Sequence, residues 1–154
     1  MTAFGVSAAA AYCAPPAGGG NGNPAVFCRP LQLPPEAASA GEARQYVRDC
    51  LGALGRPDLM ECAVLGVDEL VANVCRHAGT PLVVALAADS DDRIRIEVTD
   101  LSPTPPVRRQ VGEYELGGRG LTLLDACGMW GVLPATTSGT GKTIWFEPFG
   151  SLGL

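Results

Sequence analysis

The segment Asp68-Glu69-Leu70-Val71-Ala72-Asn73-Val74-Cys75-Arg76-His77-Ala78 closes the longest uninterrupted helical pattern in the chain. The periodicity predicts that helix from about Asp58 to Ala78. At about 100° per residue, Glu69, Asn73, Arg76 and His77 fall within one sector. Met60, Ala63, Val67, Leu70, Val71 and Val74 fall in the adjoining sector. One side is therefore apolar enough to pack on a sheet. The other gathers an acid, an amide and the chain's only histidine at i, i+4 and i+8. An isolated carboxylate beside a large apolar face is costly without a partner. A bound ligand or metal would supply one.

Working outward, the helix has neighbours on both sides. Toward the N-terminus, Asp58 reads as its N-cap, with Glu61 three residues on as a capping-box partner. Before that, Pro34-Pro35-Glu36 opens an earlier helix, since Pro suits a first turn and Glu favours the positive end of the dipole. That helix carries Ala40, Ala43, Val47, Cys50, Leu51 and Leu54 inward and stops at Gly55. Ala25 to Leu33 alternates around Pro30 and reads as an edge strand, because Pro cannot donate to a ladder. Met1 to Pro24 is rich in Ala, Gly, Pro and Asn and nearly uncharged, as expected of a flexible tail.

Toward the C-terminus the second helix ends near Gly79, and Leu82 to Ala87 is a short apolar strand. After the polar turn at Asp89–Asp92, Arg93 to Asp100 alternates Ile94, Ile96 and Val98 inward with Arg93, Arg95 and Glu97 outward. The two strands make an antiparallel hairpin. From Leu101 to Gly118 periodicity vanishes, and a long irregular loop in a compact domain is usually functional or disordered. Leu121 to Ala126 is a short helix; Met129–Leu133 and Thr143–Phe146 are two further strands. The sum is an α/β two-layer sandwich, with helices on one face of a mixed, mainly antiparallel sheet. Residues 25–150 form that unit, behind a tail at 1–24.

The bulk properties narrow the function. The chain has 154 residues, 47% of them hydrophobic, enough for one domain with a real core. Its net charge is -5, and no basic run exceeds Arg108-Arg109, which argues against direct binding to nucleic acid or an anionic membrane. No apolar run approaches the ~20 residues of a membrane span. The Ala-rich start lacks the positive region of a signal peptide, since no Lys or Arg precedes Arg29, so a cytoplasmic location is expected. The six cysteines include no C-x-x-C pair; Cys50, Cys62, Cys75 and Cys127 lie in apolar periodic segments and read as small core residues.

The chemistry follows from residue types and spacing. A triphosphate with magnesium needs hard oxygen ligands, and an Asn side-chain carbonyl is one. Moving a γ-phosphoryl group also needs a carboxylate to orient or deprotonate the nucleophile. One helical turn, ~5.4 Å, separates Glu69 from Asn73 and lets each face a different group. Gly117-Gly118-Arg119-Gly120-Leu121 stands at a loop-to-helix junction. Successive glycines let backbone N–H groups point at phosphates, and a helix start adds positive potential. Gly139-Thr140-Gly141-Lys142-Thr143 is not a P-loop: Thr136 stands where that pattern needs Gly, and a strand follows instead of a helix.

Glu-x3-Asn-x3-His on a helix resembles the N-box of the GHKL ATP-binding superfamily. The segments Val98-Thr99-Asp100-Leu101-Ser102-Pro103, Gly117 to Leu121 and Gly141-Lys142-Thr143-Ile144-Trp145 follow in the family's order. The combination is most similar to the small anti-sigma-factor serine kinases of the SpoIIAB/RsbW type, over roughly Val26 to Pro148. The resemblance implies a Bergerat-type sandwich that binds ATP and Mg2+. It implies Glu69 as the catalytic base and Asn73 as the metal ligand. Asp100 would accept from the adenine amino group, and Thr143 would bond beside it. Gly117, Gly118, Arg119, Gly120 and Leu121 would cradle phosphates, with Pro105 to Leu116 as the lid. His77 would sit on the phosphate side, or else cap the last helical carbonyls. The implied partners are an anti-anti-sigma (STAS-domain) protein and a sigma factor, with a homodimer formed through the first strand and helix. One box departs from the pattern: where the family has Asp-x-Gly-x-Gly, both glycines are missing after Asp100. That departure motivates the alternative, a non-catalytic nucleotide-binding interaction module.

Overall fold

A computed structural model describes residues 26–89, 91–102, 118–134 and 141–151. The chain runs β1 (Val26–Phe27), β2 (Leu31–Leu33), α1 (Ala38–Ala53), a 3-10 turn (Pro57–Leu59), α2 (Met60–Asn73), a π-helical turn (Val74–Ala78), β3 (Leu82–Ala88), β4 (Ile94–Asp100), α3 (Gly118–Cys127), β5 (Gly128–Pro134) and β6 (Lys142–Pro148). The six strands form one sheet in the order β1-β3-β4-β6-β5, with β2 also on β3. All described pairings are antiparallel. The expected α/β sandwich is what the chain forms.

The N-terminal edge strand comes in two pieces. Phe27 lies opposite Ala87 but Leu31 lies opposite Val84, so four steps on the edge match three on β3. The extra residue is a β-bulge at the stretch holding Pro30, where no ladder donor is needed.

Strand alternation builds the core. Leu82, Val84 and Leu86 of β3, Ile96 and Val98 of β4, and Ile144 and Phe146 of β6 face the helices. Against them α1 places Ala43, Val47, Cys50 and Leu51, and α2 places Cys62, Ala63, Val67, Leu70 and Val71. The expected apolar sector of the second helix is therefore its buried one. Gly66 sets how closely α2 approaches the sheet: a Cβ there would stand 2.2 Å from Cε1 of Phe146. An ion pair between Arg44 and Asp68 ties α1 to α2.

Helix ends follow expectation at Gly55 but not at Asp58. α1 stops as expected at Gly55, with φ 67 and the Arg56 N–H bonded back to Leu51 O at 2.9 Å. The capping box at Asp58 does not form. Pro57 opens a 3-10 turn, the N-cap falls on Leu59 without a side-chain bond, and Asp58 pairs instead with Arg56 at 3.0 Å. Among the described residues no helix is long and apolar enough to cross a membrane. Cys28, Cys50, Cys62, Cys75 and Cys127 are free thiols. Burial pushes the Cys127 thiol up to about 12, which keeps it protonated and unreactive at neutral pH.

Candidate functional site

Three chain segments meet at one pole of the sandwich. α2 delivers Glu69 and Asn73 near its C-terminal end and continues through the π-turn to Gly79. The chain then turns into β3, whose first residue, Leu82, lies opposite Asp100, the last residue of β4. Asp100 in turn lies opposite Lys142, the first residue of β6. A bond from the Leu101 N–H to Thr80 Oγ1, at 3.0 Å, joins the helix exit to the end of β4. α3 packs on α2 and ends where β5 begins, at Gly128 opposite Pro148, the far pole. Its ten residues span about 15 Å.

The helix face is half closed. Asn73 is buried, and its Oδ1 accepts a long bond of 3.4 Å from Arg76 Nη2. Glu69 is half-buried, and its carboxyl sits above the ordinary range. Burial is the main cause and neighbouring Asp68 adds to it, while the Arg76 guanidinium pulls the other way. Loss of hydration is the usual way a protein makes a carboxylate a better base. His77 is exposed, together with Arg76.

The sector drawn from a regular helix is changed by the π-turn, with the Gly79 N–H bonded to Val74 O at 2.8 Å. π-turns within helices occur frequently at functional sites.

The sheet side holds a buried ion pair. Asp100 Oδ2 lies 2.9 Å from Lys142 Nζ, with side chains 1% and 10% exposed respectively. Oδ1 accepts from Lys142 Nζ at 3.1 Å and from the Ser102 N–H at 2.8 Å. Lys142 Nζ also reaches Ser102 O at 3.5 Å.

Thr143 does not join this group. Its Oγ1 bonds Thr99 Oγ1 at 2.8 Å, and alternation puts both on the sheet face opposite Asp100. The place expected for Thr143 beside Asp100 belongs to Lys142. In the sequence Lys142 stands both in the rejected P-loop pattern and in the Gly141–Trp145 segment, with no role of its own. The signal was there in the strand parity, because Lys142 shares its side with Ile144 and Phe146, the inward residues of β6.

α3 begins at Gly118, three residues earlier than expected. Gly118, Arg119, Gly120 and Leu121 therefore form its first turn, where backbone N–H groups have no helical partner. Gly117 and the expected lid, Pro105 to Leu116, lie outside the described residues.

As a donor set, the Asn73 amide oxygen with the Glu69 carboxylate fits a magnesium ion carried in by phosphates, which keeps most of its waters. No cluster of three or more His, Cys, Asp or Glu able to hold a metal unaided occurs among the described residues. For a nucleotide base the chemistry of Asp100 fits, but Lys142 already engages it.

Residues 33–146 match the Histidine kinase-like ATPase domain. No curated protein sequence matches. Among solved structures, the RsbU and RsbW domains of Rv1364c from Mycobacterium tuberculosis superpose with a TM-score of 0.52 at 21% identity, covering 81% of this chain and 33% of that one. The chain thus corresponds to about a third of that protein's length. The histidine kinase domain of the Erythrobacter litoralis EL346 blue-light activated histidine kinase gives a TM-score of 0.44 at 18% identity, covering 84% and 69%. With the matched span taking in α1, α2, the hairpin, α3 and the last two strands, the chain belongs to the histidine kinase-like ATPase domain family.

Proposed function

We propose that this chain is an ATP-binding regulatory protein that acts as an anti-sigma factor and as a serine/threonine kinase on an anti-anti-sigma (STAS-domain) partner. The observation that supports it is that α2 carries Glu69 and Asn73 toward its C-terminal end and that the chain leaving this helix is bonded, through Thr80, to the residue after Asp100 at the end of β4. Family membership and a fold shared with an RsbW-containing protein support the nucleotide part. The motif order read in the sequence supports the partner.

In this reading Asn73 supplies an oxygen to magnesium, which neutralises phosphate charge when bound. Glu69 orients the partner's Ser or Thr hydroxyl and takes its proton. The first turn of α3, from Gly118, offers unpaired backbone N–H groups to phosphate oxygens. Arg76, beside Asn73, adds positive charge near the same edge. Asp100 reads the base. The working unit is residues 25–150, in the cytoplasm, and dimerisation through the first strand and helix accompanies it.

The test is incubation of the full chain with γ-labelled ATP and a cognate STAS-domain protein. Label on the partner's Ser or Thr is expected. Complex formation without transfer would overturn the kinase assignment. A second reading has its own observation: Asp100 is held by Lys142 and not left open, which suits a non-catalytic interaction module. Partner binding that is indifferent to both nucleotide and the Glu69→Gln change would select it.

A further inference from the structure

Lys142 is the only lysine in the chain, and it is almost wholly buried against Asp100. Both carboxylate oxygens are engaged. Oδ2 takes the ammonium at 2.9 Å, and Oδ1 takes it at 3.1 Å together with the Ser102 N–H. A base amino group is also an N–H donor, but a neutral one. A charge-assisted bond to a carboxylate is roughly twice as strong as a neutral one. The ammonium and an incoming amino group therefore want the same acceptor, and the ammonium holds it.

The backbone here has little room to give. Gly141 has φ +88, and a Cβ on it would stand 2.4 Å from Asp100 O, so the start of β6 is clamped on the end of β4. What can move is the four-carbon stem of Lys142, which is able to carry its charge outward while its methylenes stay packed.

We propose that Lys142 is a built-in competitor for the nucleotide base, so that base binding and withdrawal of the ammonium from Asp100 are one event. This rests on the nucleotide reading given above. Lys142 then sets both the affinity of the pocket and its base preference. A base with an exocyclic amino group must displace the ammonium from the carboxylate. A base with a carbonyl there can accept a bond from it instead.

The test is calorimetric titration of the full chain and of Lys142→Thr with ATP and with inosine triphosphate, which carries a carbonyl where adenine has its amino group. Thr keeps a strand-compatible side chain and removes the ammonium, leaving only a neutral hydroxyl, which has no charge advantage over a base amino group for Asp100. ATP is expected to bind the variant at least about tenfold tighter, with inosine triphosphate changing by less than about twofold. Equal gains for both, or no gain for ATP, overturn the competitor role while nucleotide binding by the native chain keeps the broader reading intact. Absence of binding by both proteins overturns both.

Removing the lysine leaves Asp100 buried and unpaired and could unfold the chain, so a measurement on the native protein stands beside it. The single lysine permits amine acetylation mapped by mass spectrometry. Acetylation at Lys142 is expected to be slow alone and to accelerate severalfold at saturating ATP. Unchanged or slowed acetylation under ATP overturns the proposal.

Discussion

Glu69 and Asn73 stand one turn apart on α2, with Arg76 against the amide and burial raising the acid. Glu69→Gln removes the base but keeps the shape. Label transfer to the partner is expected to fall roughly 100-fold or more, with nucleotide affinity within about threefold of native. A quench assay and a titration on the same preparation check it. The pH profile has a defined sign. Only ionised Glu69 can take a proton, and its folded value lies above the ordinary 4.5. Transfer should therefore decline on acidification at a pH above that of an exposed glutamate.

The places of Glu69 and Asn73 on a helix and of Asp100 at a strand end were legible, because helical spacing and strand ends locate them without tertiary knowledge. Lys142 was not, because a lysine two residues before Ile144 looks like a loop cation until the ion pair is seen. Thr143 was misplaced by one residue, which in a strand means the other face.

α2 is held at its depth by a glycine. The approach of Gly66 to Phe146 leaves no space for a methyl group without displacing the ring. Gly66→Ala gains helix propensity but overpacks the contact, and a net loss of about 1–3 kcal/mol is expected in urea unfolding. Because α2 carries Glu69 and Asn73, nucleotide affinity should fall in the refolded variant as well; unchanged stability and affinity would show that the helix is not seated by this contact.

Most elements were readable from periodicity and punctuation: Gly55 and Gly79 end helices as expected, with φ 67 and 61. The start of α2 was not, since Pro57 redirects the chain before Asp58 can cap it. The π-turn at Val74–Ala78 left no mark in a pattern read at a fixed period.

The two faces of the sheet are unequal but both hold buried residues. Glu97 was read as outward, and on that face it is fully buried between Ala85 and Trp145, its neighbours across the sheet. Neither carboxylate oxygen has a hydrogen-bond partner, and desolvation pushes its pKa up to about 7 against a weaker pull from Arg95. A charged residue in an alternating strand looks exposed in sequence, because burial on that face depends on the whole fold.

The consequence for stability has a clear direction. The folded state holds a proton that the unfolded chain gives up near 4.5, so the contribution of Glu97 to stability is greatest at low pH and declines between about 4.5 and 7. The span corresponds to an upper bound of ~3 kcal/mol. Glu97→Leu should flatten that slope and raise stability near pH 8, as read by denaturant unfolding across the range. A slope that persists in the variant would assign it to another group.

Family membership, the pole where three segments converge and the donor set of α2 all bear on one question, whether a magnesium-bound triphosphate occupies this edge of the sheet. Titration calorimetry of the full chain with ATP, with and without magnesium, answers it. The expected result is saturable one-to-one binding that tightens with magnesium, with the magnesium effect lost in Asn73→Ala. No saturable heat at millimolar nucleotide, or binding indifferent to both magnesium and Asn73, would contradict it.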